Sequence, residues 1–197
     1  MQGLQAIDPT VIKGVIANLI SDAIRRLGQE LVSLAKSIVS TGIEFESAFA
    51  GVKKTVDATD EEFSQFEEGL RSMATTMPTT ASQLAGIAEA AGQLGIKNEN
   101  LLSFTETMAN LGVATNMSAN DAATALARLA NITGMNQENF SNLGSAIVAL
   151  GNNFATTESE ITNMALGISA AGSQVGMSEA DITGVAAALS SLGLEAE

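Results

Sequence analysis

Histidine, cysteine, tryptophan and tyrosine are all absent from this 197-residue chain. Zinc and haem sites need His or Cys ligands, and serine or cysteine nucleophiles work with a neighbouring His base, so the composition excludes these classes of site. The ionisable side chains that remain are carboxylates and amines, and their spacing assembles no pair of facing acids. We therefore predict that the protein is not an enzyme and has no catalytic residue, no cofactor-binding residue, no metal ligand and no cofactor.

Positive charge is scarce, with 9 Lys and Arg against 22 Asp and Glu, which gives a net charge of -13. After Lys97 the only basic residue is Arg128. DNA and anionic membranes bind clustered positive charge, so we expect no direct nucleic-acid binding. Charged residues also interrupt the most hydrophobic stretch, at Lys13, Asp22 and Arg25, and we predict no membrane span.

Strand signals are missing as well. Only two prolines occur, Pro9 and Pro78, and Val and Ile do not alternate with polar residues over any long stretch. Hydrophobic residues make up 46% of the chain but aromatics only 4%, and small apolar side chains favour closely packed helices. We predict an all-α fold with two parts: a long amphipathic, coiled-coil-like helix over residues 1–57, and antiparallel helical hairpins over residues 58–197.

The first part carries an apolar seam. Asp8-Pro9 is typical of a helix start, and apolar positions then follow alternating steps of three and four residues from Ile20 to Val52, at Ile20, Ile24, Leu27, Leu31, Leu34, Ile38, Thr41, Phe45, Ala48 and Val52. Two interpretations remain open. The seam either contacts another copy, making the protein a homo-oligomer, or packs on its own domain.

The second part is periodic. Gly95, Gly134 and Gly176 each open a similar run, and each is followed 17 residues later by the glycine of a Leu-Gly pair, at Gly112, Gly151 and Gly193. We expect the first glycine of each run to close a helix in the left-handed conformation and the Leu-Gly pair to end the next helix. Polar residues that precede the helical patterns are predicted N-caps, namely Thr59, Thr80, Asn98, Ser118, Asn136, Thr157 and Ser178.

This spacing predicts helical hairpins with a period of about 40 residues, the range of helical-repeat arrays. A compact bundle of hairpins remains an alternative packing. The predicted core consists of the apolar positions with helical spacing, Leu101, Phe104, Met108, Leu111, Leu126, Leu129, Phe140, Leu143, Ile147 and Leu150.

Several of these segments, in this order, resemble the conserved core region of phage tail tape measure proteins. The resemblance covers roughly residues 44 to 197 and is carried by residues 45–52, 55–59, 77–84, 90–95, 104–115 and 118–133. Proteins of this family are typically much longer than this chain. The resemblance therefore implies a portion of a longer protein, truncated at its C-terminus, whose extended ruler and any membrane-active or peptidoglycan-cleaving domain lie elsewhere.

What the resemblance implies is a structural protein that sets tail length. The tail tube polymerises around it, and it leaves the tube ahead of the DNA during ejection. Its implied partners are the tail tube protein, tail assembly chaperones and distal tail or baseplate proteins. Its implied location is the tail tube lumen of the virion, and the bacterial host cytoplasm during assembly. An interpretation from another class also stays open, a free-standing α-helical repeat module for protein–protein interaction.

Overall fold

The fold is described by a computed structural model covering residues 25, 26, 29, 30, 33 and 40–194. Of these residues 81% are helical and none lies in a strand, which confirms the predicted all-α class. The chain divides into two compact bodies, Met1–Glu44 and Phe45–Glu197. The predicted cap at Asp8 and the seam positions from Ile20 to Ile38 lie outside the described residues, and the predicted boundary after residue 57 stays a prediction.

Within residues 45–194 the chain forms eight α-helices and one short 3-10 helix. They are α1 (45–55), α2 (Asp60–Thr76), α3 (Ala81–Gln93), α4 (Asn98–Ala114), α5 (Ala119–Thr133), η1 (Gln137–Asn139), α6 (Phe140–Asn153), α7 (Glu158–Gln174) and α8 (Glu179–Ser191).

Most of these helices begin at the predicted caps. Thr59, Thr80, Thr157 and Ser178 each form a capping box, in which the hydroxyl accepts from the backbone N–H three residues on and the side chain there accepts from the cap's own N–H. Ser118 caps α5 through the backbone N–H of Asp121, and Asn136 caps η1. The capping prediction is confirmed at these six positions.

The predicted cap at Asn98 is wrong. The N-cap of α4 is Lys97, which makes no side-chain cap bond, and Asn98 is the first residue of the helix. Its amide Nδ2 instead donates to the carbonyl of Asp57, at 2.8 Å, and to a carboxylate oxygen of Glu62, at 3.3 Å. The side chain is thus held by an earlier turn of the chain rather than by its own helix.

The opening glycines behave as predicted. Gly95, Gly134 and Gly176 have φ of 79°, 71° and 86°, in the left-handed region, and Gly193 after α8 has φ of 77°. The other two Leu-Gly pairs do not end helices, because α4 continues to Ala114 and α6 to Asn153. At Gly112 the reason is packing, since an added Cβ would lie 2.9 Å from the backbone nitrogen of Ala119. That glycine allows close approach of the next helix instead of a turn.

The helices pack in a neighbour-to-neighbour pattern. Along the chain, α3, α5 and α7 contact one another in sequence, and so do α2, α4, α6 and α8, so that the two series form two layers. Helices one repeat apart therefore contact each other along the described array, as they do in helical-repeat proteins. All ten predicted core residues lie inside it: nine are at most 4% exposed, and Leu150 is partly buried.

The last part of the seam packs inside the second body. On α1, Phe45 and Val52 are 1% and 0% exposed, and Ala48 is partly buried. The Phe45 ring stacks on Phe49 at a centroid distance of 5.6 Å, and the guanidinium of Arg71 lies 3.9 Å from its centroid. For these seam positions the own-domain interpretation is therefore the one observed.

Candidate interaction surfaces

Neighbouring hairpins are tied together at their turns. Gln137, which follows the α5–α6 turn, binds the α3–α4 turn through both atoms of its amide: Nε2 donates to the carbonyl of Gly95 at 3.1 Å, and Oε1 accepts from the N–H of Lys97 at 2.9 Å. Asn131 Nδ2 donates to the carbonyl of Leu94 at 3.4 Å. These side chains replace water on backbone groups that a turn leaves unpaired, and they fix the register between the two hairpins.

Equivalent bonds recur one repeat away on either side. Asn98 binds the carbonyl of Asp57 in the α1–α2 turn, and the Ser173 hydroxyl donates to the carbonyl of Ile132 at 3.2 Å. We call this series of hydrogen bonds, which join the turns and adjacent helix ends of successive repeats through Asn98, Asn131, Gln137 and Ser173, the turn ladder. Its bonds join residues 37 to 42 positions apart, which is one repeat length.

The opposite end of the array has its own links. Asn116 in the α4–α5 turn donates through Nδ2 to the Ser159 hydroxyl at 2.9 Å and accepts from the Ser159 backbone N–H at 3.2 Å. The hydroxyls of Thr156 and Ser190 lie 2.7 Å apart. Side-chain hydrogen bonds therefore join successive repeats at both ends of the array.

The sequence contains a signal for the turn ladder. Asn98 and Gln137 both stand three residues after a left-handed glycine, and both side chains reach back to the preceding turn. In the third repeat the same position is Glu179, which has no amide group to donate. An Asn or Gln side chain three residues after a left-handed glycine therefore indicates contact with the preceding hairpin.

Three acids whose pKa is lowered belong to helix caps. The backbone N–H of Thr59, and then its hydroxyl, lower the pKa of Glu62. The backbone N–H of Thr157 does the same for the pKa of Glu160, and the Ser178 hydroxyl lowers the pKa of Asp181. These carboxylates stay ionised as acceptors at helix starts, where the helix dipole also favours negative charge.

Within the described ranges we find no group of three or more acidic side chains that could hold a metal ion. The same residues include no buried side-chain polar atom that lacks a hydrogen-bond partner. Among them there is also no helix long and apolar enough to cross a membrane.

Open grooves lie on the surface of the described residues, and two of them run between helices of the same layer. One, of about 350 Å³, runs between α4 and α6 and is lined by uncharged residues, among them Leu111, Gly144 and Val148. The other, of about 420 Å³, lies between α5 and α7 and contains Arg128 beside Asp121 and Asn163. Arg128 forms no ion pair with any carboxylate in the described part of the chain.

Comparison with known proteins gives one family. The model of the family described as phage-related minor tail protein matches residues 67–197, which begins within α2 and takes in all the later helices. Neither the curated proteins nor the solved structures contain a significant match.

Proposed function

Since the chain belongs to the phage-related minor tail protein family and so has a structural role in the phage tail, we propose that it is part of a tape measure protein. In this role it sets tail length, is surrounded by the polymerising tail tube, and leaves the tube ahead of the DNA. Its partners are then the tail tube protein, tail assembly chaperones and distal tail or baseplate proteins, and its place is the tube lumen.

The turn ladder is the observation that carries this proposal. Side-chain hydrogen bonds join each pair of successive repeats at the same end of the array, so each hairpin is held to the preceding one there. The extent of such an array grows with the number of its repeats, as a protein that specifies a distance requires. The scarcity of positive charge also supports the proposal, since a surface with one Arg after Lys97 does not hold the DNA that follows.

Removing one hairpin from the intact parent protein in the phage tests this role. Deletion of residues 118–156 joins Met117 to Thr157, so one capping residue replaces another and α4 leads into α7 through a turn of unchanged length. An extended helical ruler would shorten the tail by about 60 Å, at 1.5 Å per residue. A folded hairpin would shorten it by only about 10 Å, the spacing of packed helices.

We expect the smaller change in length, measured by electron microscopy of purified particles, together with a lower yield of complete tails. A matched control deletes the same number of residues from a helical segment of the parent outside the family match. Infectious particles with tails of unchanged length and normal yield would contradict an assembly role for this region.

We also propose that the protein self-associates through the apolar seam that begins at Ile20. Residues 25, 26, 29, 30 and 33 are helical and exposed, and all of them fall between seam positions. An apolar seam of this length is unfavourable in water unless it packs on something. Substitution of Leu27 and Leu34 by Asp should therefore convert the parent oligomer to monomers in sedimentation equilibrium. A parent that is already monomeric in dilute solution rules the proposal out.

A further inference from the structure

Equivalent apolar positions become progressively exposed along the array. Nine residues after Gly95, Gly134 and Gly176 stand Phe104, Leu143 and Val185, which are 1%, 4% and 41% exposed. Sixteen residues after the first and third of these glycines stand Leu111 and Leu192, at 4% and 77%. The first two hairpins therefore bury a face that the third leaves open.

The structure shows what covers this face in the earlier hairpins. The Phe104 ring on α4 meets the Phe140 ring, in the first turn of α6, at a centroid distance of 4.7 Å and an angle of 77°. Leu111 lies against Gly144, also on α6, where an added Cβ would be 3.3 Å from its Cδ1. In the same way α8 packs on α6. The covering element is thus always the second helix of the following hairpin.

Backbone carbonyls at the α7–α8 turn also lack the side-chain donors that the earlier turns have. The carbonyls of Leu94 and Ile132 accept from Asn131 and Ser173 of the next hairpin. Among the described residues no side chain donates to the carbonyls of Gln174 and Val175, which stand at the equivalent positions before Gly176. Val175 is 77% exposed, and its counterpart Leu94 is partly buried. Both the apolar and the polar contacts that join hairpins are therefore unfilled here.

From this repetition we infer that the open edge of α7 and α8 is a docking surface for one further α-helical hairpin of the same pattern. We call this surface the α8 edge and define it by Val175, Val185, Ala188 and Leu192, all exposed. The hairpin it fits has a large apolar residue in the first turn of its second helix, as Phe140 is, and an amide three residues after its left-handed glycine, as Gln137 is. Its facing stripe is uncharged, since the exposed stripe of α8 beyond its first turn is uncharged too.

The test uses a thiol as a reporter, because the chain has no cysteine of its own. Val185→Cys is made in the chain as it stands and in a chain extended after Gly193 by a second copy of residues 113–153, which carries its own Phe140 and Gln137. The rate of labelling by a maleimide is compared between the two. We expect it to fall by about tenfold or more in the extended chain, because the reagent then reaches the thiol only after local opening.

Two controls separate docking from general effects. Ile132→Cys reports on a position of matched exposure, 43% against 41%, and its labelling rate should be the same in both chains. An extension carrying Phe140→Asp in the appended copy should leave Val185→Cys as reactive as it is in the chain without an extension. Equal labelling of Val185→Cys with and without the intact extension would overturn the inference. The inference would also be overturned if the Val185→Cys thiol were protected in the chain without the extension and this protection rose with protein concentration. The α8 edge would then bind a second copy.

Discussion

Replacement of Phe104 by Ala should lower the free energy of unfolding by about 3 to 5 kcal/mol. The side chain is 1% exposed, and its ring meets Phe140 edge to face across the α4–α6 interface, so truncation removes buried apolar contact and leaves a cavity between two hairpins. Chemical denaturation followed by far-ultraviolet circular dichroism measures the change. Fluorescence is a poor probe here because the chain has neither Trp nor Tyr.

Phe154→Ala is the matched control for this prediction. It is the same substitution at a position 43% exposed, in the turn after α6, and should cost less than about 1 kcal/mol. A loss at Phe104 no larger than the loss at Phe154 would mean that the α4–α6 contact does not stabilise the array.

Alanine at two helical glycines should have opposite effects on stability. In an open helix, Gly to Ala stabilises by up to about 1 kcal/mol because alanine loses less backbone entropy on folding. At Gly86 in α3 an added Cβ meets nothing within 4 Å, so we expect this gain. At Gly112 the Cβ would lie 2.9 Å from the backbone nitrogen of Ala119, which cannot rotate away, and we expect a loss of about 1 to 3 kcal/mol.

The same denaturation experiment compares both variants with the parent. Gly151→Ala gives an intermediate case, because the Cβ would meet the end of the flexible Glu158 side chain rather than backbone, and its effect should be small. If Gly112→Ala is as stabilising as Gly86→Ala, the close approach of α4 and α5 is not what requires a glycine there.

The sequence predicted the local features of this fold well. Capping boxes such as Thr59 with Glu62 involve residues three apart, and the left-handed glycines follow directly on the helix that they close, so neighbouring residues suffice to predict them. The ends of α4 and α6 were predicted wrongly for a physical reason. A glycine is needed at position 112 because the backbone of Ala119, on the next helix, lies too close for a side chain. How closely two helices approach depends on their packing, and the residues around Leu111-Gly112 do not specify it.

The interaction surfaces were harder to predict. Asn98 and Gln137 both stand three residues after a left-handed glycine. This position indicates a contact between hairpins only if successive turns are known to lie side by side. The α8 edge was not predictable from residue type, since Leu192 occupies the same pattern position as the buried Leu111. Exposure there follows from the absence of a packed neighbour in the described range rather than from the residue itself.

The neighbour-to-neighbour packing also sets how the array responds to a pulling force. Each hairpin is held by the hairpins before and after it, so tension applied at one end loads a single interface at a time. The hairpins should then yield one after another, each against a modest barrier, in place of one cooperative rupture of the whole body. A repeat that spans about 10 Å when folded releases roughly 130 Å of extended chain when it yields.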